Sequence, residues 1–267
     1  MQRRALLASL ALPLLPGCAT PLPPFQSATT TTAARALLEE SAAAHGLAAW
    51  RRLDDISLSY SGEWRPVVPS LQPTLVDRGF RGQSEERLLL REGRVAQAHT
   101  GPSGRKQVAR RTQDGTQGEV RVWFNGEESQ DADRRAAAAL VADGYSLFLF
   151  GPMWLASVQQ GLAMERAGTE QIDEHECDVL RVRLAPGLGL SDGDQLALFI
   201  DRKERLMRRV RFTLEGLEST RGAVAEVSAF DHITLHGVRW PTRFHERLLR
   251  PLPLPVHDWR SYLARGR

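Results

Sequence analysis

The sequence predicts an α+β chain in which antiparallel strands dominate. Three observations carry this. Apolar residues recur with period two over much of the chain, as in Ile56, Leu58 and Tyr60 against Ser57, Ser59 and Ser61. The strand-like segments are joined by short turns, such as Arg91-Glu92-Gly93-Arg94 and Asn125-Gly126, which suit hairpins between antiparallel neighbours. Two intervals lack this alternation and read as helical.

The first helical interval, Ala33 to Leu53, has few breakers, and Ala36, Leu37, Glu40, Ala44, Leu47 and Trp50 approximate an apolar stripe with polar interruptions. His45-Gly46 interrupts it, so it reads as two helices or as one with a weak point. Ile56 to Trp64 is a half-buried strand. Glu86 to Leu90 and Val95 to Thr100 form a hairpin, and Lys106 to Thr112 and Glu119 to Phe124 follow as strands. The second helical interval, Asp131 to Ala142, is alanine-rich, with Asp131 or Asp133 as cap candidates. It runs into Tyr145 to Leu155, the most apolar segment of the body. That segment reads as a buried helix, strand or plug, or as a wall or lid for an apolar ligand, and its length is too short for a membrane span. Cys177 to Leu184, Gln195 to Asp201 and Leu206 to Leu214 are further strands. Ala223 to Leu235 and Val238 to Leu249 make a last pair, with Pro241 fitting an edge or a bulge.

The chain opens with Arg3 and Arg4, then an apolar run from Ala5 to Leu15, then Leu15-Pro16-Gly17-Cys18. A basic start and a short apolar core are what the export machinery reads. The arrangement resembles the signal peptide of bacterial lipoproteins. The resemblance implies removal of residues 1–17 and attachment of lipid, palmitate among its acyl chains, to Cys18. Ala19 in place of aspartate then favours the periplasmic face of the outer membrane. More than one acyl chain makes such an anchor stable. Residues 18–32, with Pro21, Pro23, Pro24 and Thr29 to Thr32, read as a flexible tether reaching roughly 45–50 Å when extended. Residues 33–267 then form one domain. Cys177 is left as a lone thiol, excluding an intramolecular disulfide, and suits a small buried filler.

The formal charge is +3, and +1 once Arg3 and Arg4 leave. Nucleic-acid binding needs a concentrated basic face, so that class is excluded. No GxSxG elbow, HExxH or paired-cysteine motif occurs. His232 and His236 would stand about 13 Å apart on one strand, too far to share a metal. No metal, cofactor or catalytic residue is therefore expected, and His257-Asp258-Trp259 reads as a tail docked by its tryptophan.

The phrases Ala44-His45-Gly46-Leu47-Ala48-Ala49-Trp50, Phe199-Ile200-Asp201-Arg202-Lys203-Glu204-Arg205-Leu206 and Phe230-Asp231-His232, with Gly237-Val238-Arg239-Trp240-Pro241-Thr242, together resemble LolA/LolB-like envelope proteins. The resemblance spans roughly residues 33–250. It implies an incomplete, half-open β-barrel enclosing or covered by helices, with an apolar cavity. The receptor-type protruding apolar loop has two candidates, Val67 to Leu71 and Leu252 to Val256, and either also suits a loop packed on the body.

The favoured function is a non-enzymatic envelope lipoprotein that binds an acyl chain, lipid or lipoprotein in transport to the outer membrane. The expected cavity wall comprises Trp64, Phe80, Leu89, Trp123, Phe148, Phe150, Met153, Trp154, Phe199 and Phe212. The alternative is a scaffold that holds an envelope protein partner, with an interior filled by side chains. A hydrolase ranks third.

Overall fold

Thr31 sets where the first helix begins. Its extended backbone stops the helix, and its Oγ1 accepts the Ala34 N–H at 3.2 Å, satisfying one orphan donor of α1 (Thr32–Ala44). The break expected at His45-Gly46 is real. Gly46 has φ +92°, and a Cβ there would lie 2.2 Å from the Gly237 carbonyl oxygen. Only glycine permits both the backbone turn and the close approach. The chain restarts as the single turn α2 (Leu47–Trp50). The buried His45 ring locks this corner: Nδ1–H donates to the Arg239 carbonyl at 3.1 Å, and Nε2 accepts the Met207 N–H at 3.0 Å.

The fold is that of a computed structural model, which describes residues 29–113, 116–157 and 162–266, together with Leu22 and Phe25. Residues 1–17 and Cys18 lie outside the described residues, as does most of the expected tether.

After α2 come β1 (Asp55–Trp64), the short helices α3 (Val68–Leu71) and α4 (Pro73–Val76), and the meander β2 (Gln83–Leu89), β3 (Arg94–Gly101), β4 (Gly104–Gln113), β5 (Thr116–Phe124) and β6 (Glu127–Glu128). The helix α5 (Ala132–Ser157) follows. The chain then returns to strands: β7 (Leu162–Ile172), β8 (His175–Leu184), β9 (Asp194–Asp201), β10 (Met207–Thr213) and β11 (Val224–Phe230). A small hairpin, β12 (Ile233–Leu235) and β13 (Val238–Trp240), precedes β14 (Arg243–Arg250) and β15 (Leu254–Gly266).

Among the described residues thirteen strands form one antiparallel sheet, in the order β6-β5-β4-β3-β2-β1-β15-β14-β11-β10-β9-β8-β7. The edges β6 and β7 do not pair, so the sheet is an open barrel with α5 across its inner face. The α+β, mainly antiparallel, half-open architecture expected from the sequence is the one observed.

Four details differ from the sequence reading. The alanine-rich interval and the apolar segment after it are one 26-residue helix, about 39 Å long at 1.5 Å per residue. That helix is long and apolar enough to cross a membrane; its burial by the sheet and α1 shows it to be a core element instead. The two strands expected at residues 223–235 and 238–249 are each broken, at Asp231 (φ +53°) and before β14, splitting off the β12–β13 hairpin. Finally, β7 and β15 are strands that the sequence reading lacked. β15 is central: it pairs with β1 and β14 and so joins the two ends of the chain. Its Trp259 is buried and stacks on Phe244 with ring centroids 3.8 Å apart. Gly62 on β1 makes room for it, because a Cβ there would fall 2.4 Å from that of Trp259.

Candidate functional site

Strand alternation decides which residues face α5. On β10 and β11 the inward positions include Phe212, Ala225 and Val227; on β14 and β15 they include Glu246, Leu248 and His257. Small Ala225 next to Phe212 leaves the sheet surface low at this point. On α5, Leu140, Val141, Gly144, Tyr145 and Phe148 form the opposing face at helical spacing. Gly144 carries no side chain to fill the gap. The result is a cavity of about 490 Å³ between α5 and the centre of the sheet. It is within the usual size of a small-molecule site. Leu75, Val68 and Trp64 close one side, and Leu214, Leu248 and Leu254 another.

The two candidate loops meet at this cavity. Leu71, at the end of α3, is 55% exposed, and Leu252, in the β14–β15 turn, is 62% exposed; both line the cavity. A second space of about 480 Å³ lies between the end of α5 and the β2–β3 hairpin, with Asp143, Ser146, Arg94 and Thr112 in its more polar lining.

The ten expected wall residues divide by position. Trp64, Phe148 and Phe212 line the first cavity. Leu89, Phe150 and Trp154 line the second, where Phe150 also packs on Trp50 and Trp240, each with centroids 4.6 Å away. Met153 is fully buried packing inside α5, and Phe80 packs edge-on against Phe124 at 4.8 Å, away from both spaces. Two residues fall on the other face of the sheet, because period-two alternation turns them away from α5. Trp123 lies opposite in phase to buried Val120 and Val122, beside the Arg121 guanidinium at 4.9 Å. Phe199 belongs to an outer-face cluster with Ile172, Cys177, Val179 and Ala197, onto which Leu22 packs. Cys177 is the buried filler expected, and burial pushes its thiol up to about 12.

Sequence reasoning missed Arg81, Gly144 and the polar inner face of the β1–β4 region. There Tyr60 donates to Glu86 Oε2 at 3.1 Å, and the Gln97 amide donates to the same oxygen. Burial pushes the Glu86 carboxyl up to about 7, against the pull of these two donors. Tyr60 stacks on Tyr145 at 4.3 Å. Ser84 and His99 share a 2.8 Å hydrogen bond, and burial holds His99 well below the ordinary histidine range. Lys106 pairs with Asp77 at 2.6 Å. Arg110 grips Asp143 with two bonds, of 3.1 and 2.9 Å, and the Gly189 N–H donates to the same carboxylate at 2.8 Å.

These groups pair with each other and do not converge on a common point. Among the described residues no three His, Cys, Asp or Glu side chains gather as a metal site. His245 pairs with Asp258, and His232 lies near His45 with ring centroids 5.9 Å apart. The arrangement offers an apolar receptacle with a few polar groups on its wall.

A LolA superfamily protein from Nitrosomonas europaea superimposes with a TM-score of 0.51 at 11% identity, over 86% of this chain and 91% of that one. The chain has a LolA/LolB-like fold. A DUF1329 family protein from Desulfovibrio piger gives the same TM-score and identity over 90% of this chain and 95% of that one. No protein-family profile matches the sequence, and comparison with curated proteins finds no match. The LolA/LolB-like fold is thus recovered from the shape of the chain at an identity where sequence says little.

Proposed function

We propose that this protein is a bacterial cell-envelope lipoprotein that binds the acyl part of a lipid or lipidated partner in the cavity beside α5, as a carrier or receptor and not as an enzyme. The observation that carries the reading is the cavity itself. A scaffold that works by its outer surface predicts an interior filled by side chains, whereas here about 490 Å³ stays open between apolar walls. Each CH₂ moved from water into such a space contributes about 0.8 kcal/mol, so a long chain gains enough to be held without directional contacts. The exposed Leu71 and Leu252 at the mouth suit transfer of such a chain to or from another apolar surface. Lipid attachment at Cys18 and a place on the outer membrane belong to the same proposal, and residues 1–18 support it by sequence alone.

The test uses bromine-substituted fatty acids, which quench nearby tryptophan. Trp64 lines the cavity and Trp123 stands on the outer face of the sheet. Saturable quenching of the full chain that shrinks in Trp64→Phe and persists in Trp123→Phe is the expected result. Quenching that never saturates, or that is the same in both variants, removes the reading.

A further inference from the structure

We infer that the cavity selects an amphiphile with an anionic head, and that the Arg81 guanidinium holds that head. The inference rests on the acyl-binding reading and adds the chemical class of the ligand. Arg81 lies in the connection between α4 and β2, and it lines the apolar cavity. Two hydrogen bonds fix it there. Nη1 donates to the Leu75 carbonyl at 3.2 Å, and Nη2 donates to the Tyr145 hydroxyl at 2.8 Å. The group also stands 5.2 Å from the centre of the Trp64 ring, which holds it by cation–π attraction.

A guanidinium has five N–H donors in a rigid fork. The two bonds leave three for a ligand. The buried cations Lys106 and Arg110 of the inner face are matched, by Asp77 and Asp143. Among the described residues no carboxylate comes within 4 Å of Arg81. Among the described residues the one carboxylate in the cavity lining is Glu246, which lies 3.5 Å from His257 Nδ1. Arg247 and Arg221 also line the cavity, and Arg221 is paired with Glu218 outside it. The lining is therefore positive on balance. A cation held only by neutral acceptors at the edge of an apolar space leaves donors free for an incoming oxyanion. The fork matches either a carboxylate or a phosphate, the heads of a fatty acid and of a phospholipid.

The experiment compares binding of hexadecanoate, hexadecyl phosphate and hexadecan-1-ol to the full chain by calorimetry. These share one tail and differ in the head. Wild type is expected to bind at least one anion about tenfold or more tighter than the alcohol, a charge-assisted bond's worth. Which anion wins separates the fatty-acid source from the phospholipid source. Arg81→Gln is expected to abolish the preference, and Arg81→Lys to keep part of it. Equal binding of all three to wild type overturns the inference and leaves the acyl-binding reading standing, a comparison that holds even if the variant folds poorly. An anion preference that survives in folded Arg81→Gln also overturns it. Failure of all three to bind overturns both.

Discussion

The inner face of the sheet carries opposite chemistry on its two sides. From β2 to β4 it buries Glu86, Gln97, His99, Lys106 and Arg110, with partners supplied by Tyr60, Ser84, Asp77 and Asp143. From β8 to β11 it buries Leu180, Leu198, Ile200, Val210 and Phe212. Hydrogen bonds and ion pairs are directional, so each polar group fixes the position of another. Apolar contacts are not directional, and a wall made of them can stand beside an empty space at little cost in specificity. The cavity lies against β10, β11 and β14, with Arg81 and Tyr145 in its wall.

The polar side is most sensitive at Arg110. Arg110→Met leaves the buried Asp143 carboxylate without its bidentate partner, and burial already raises that carboxyl above its ordinary value. A loss of about 3–5 kcal/mol is expected in urea unfolding, typical of removing one member of a buried pair.

Glu86→Gln is expected to act in the opposite sense. The Glu86 carboxyl is at about 7 when folded against 4.5 when free, so the folded state holds the extra proton between those values. Its contribution is fully present below pH 4.5 and is lost as pH rises through 7. The amide variant is therefore expected to gain about 3 kcal/mol at pH 8 and almost nothing at pH 4.5, at roughly 1.4 kcal/mol per pKa unit. Denaturation at the two pH values checks both halves of the claim.

His45 gives the acid limb. Burial, followed by smaller effects that include the charges of Arg239 and Arg208, holds its pKa at about 4 against 6.5 when free. The unfolded chain takes up the proton first, so stability is full above pH 6.5 and falls as pH drops toward 4. A His45→Gln variant is expected to start less stable at pH 7, by about 1–2 kcal/mol for the lost hydrogen bonds, and to show a shallower decline across this window in a pH series of melts.

The smallest effect on stability is expected on the apolar side. A Cβ on Gly144 meets only the Phe148 ring, at 3.4 Å, and a longer side chain runs on into the cavity. Gly144→Leu is expected to gain up to about 1 kcal/mol in a thermal melt, since leucine favours a helix interior over glycine.

Much of this architecture is legible in the sequence, and the residues show where legibility stops. The alternation of β1 and the apolar run in α5 are plain because one side of each element meets the core. The break at Gly46 is plain because glycine alone fits it. The strand β15 is hidden because Pro251, Pro253 and Pro255 crowd its start, which reads as a loop. The edge strand β7 has too little apolar alternation to register: six of its eleven residues are charged, polar or glycine after Met164. The polar inner face is the larger gap. In β2, Ser84 and Glu86 point inward while Gln83, Glu85 and Arg87 point outward, so both faces look equally wet. An aromatic residue says that it will be buried but not on which side of the sheet, which is why Trp123 and Phe199 join no cavity. Arg81 carries no motif at all; only the fold places it against Tyr145 and Trp64.

The most direct test of the open cavity is the lipid that travels with the protein. The full chain and Gly144→Leu are purified side by side from membrane extracts, and the non-covalently held lipid is weighed per mole by mass spectrometry. A defined acyl lipid on wild type that is absent from a Gly144→Leu variant at least as stable is the predicted result. The same lipid content in both proteins would contradict it.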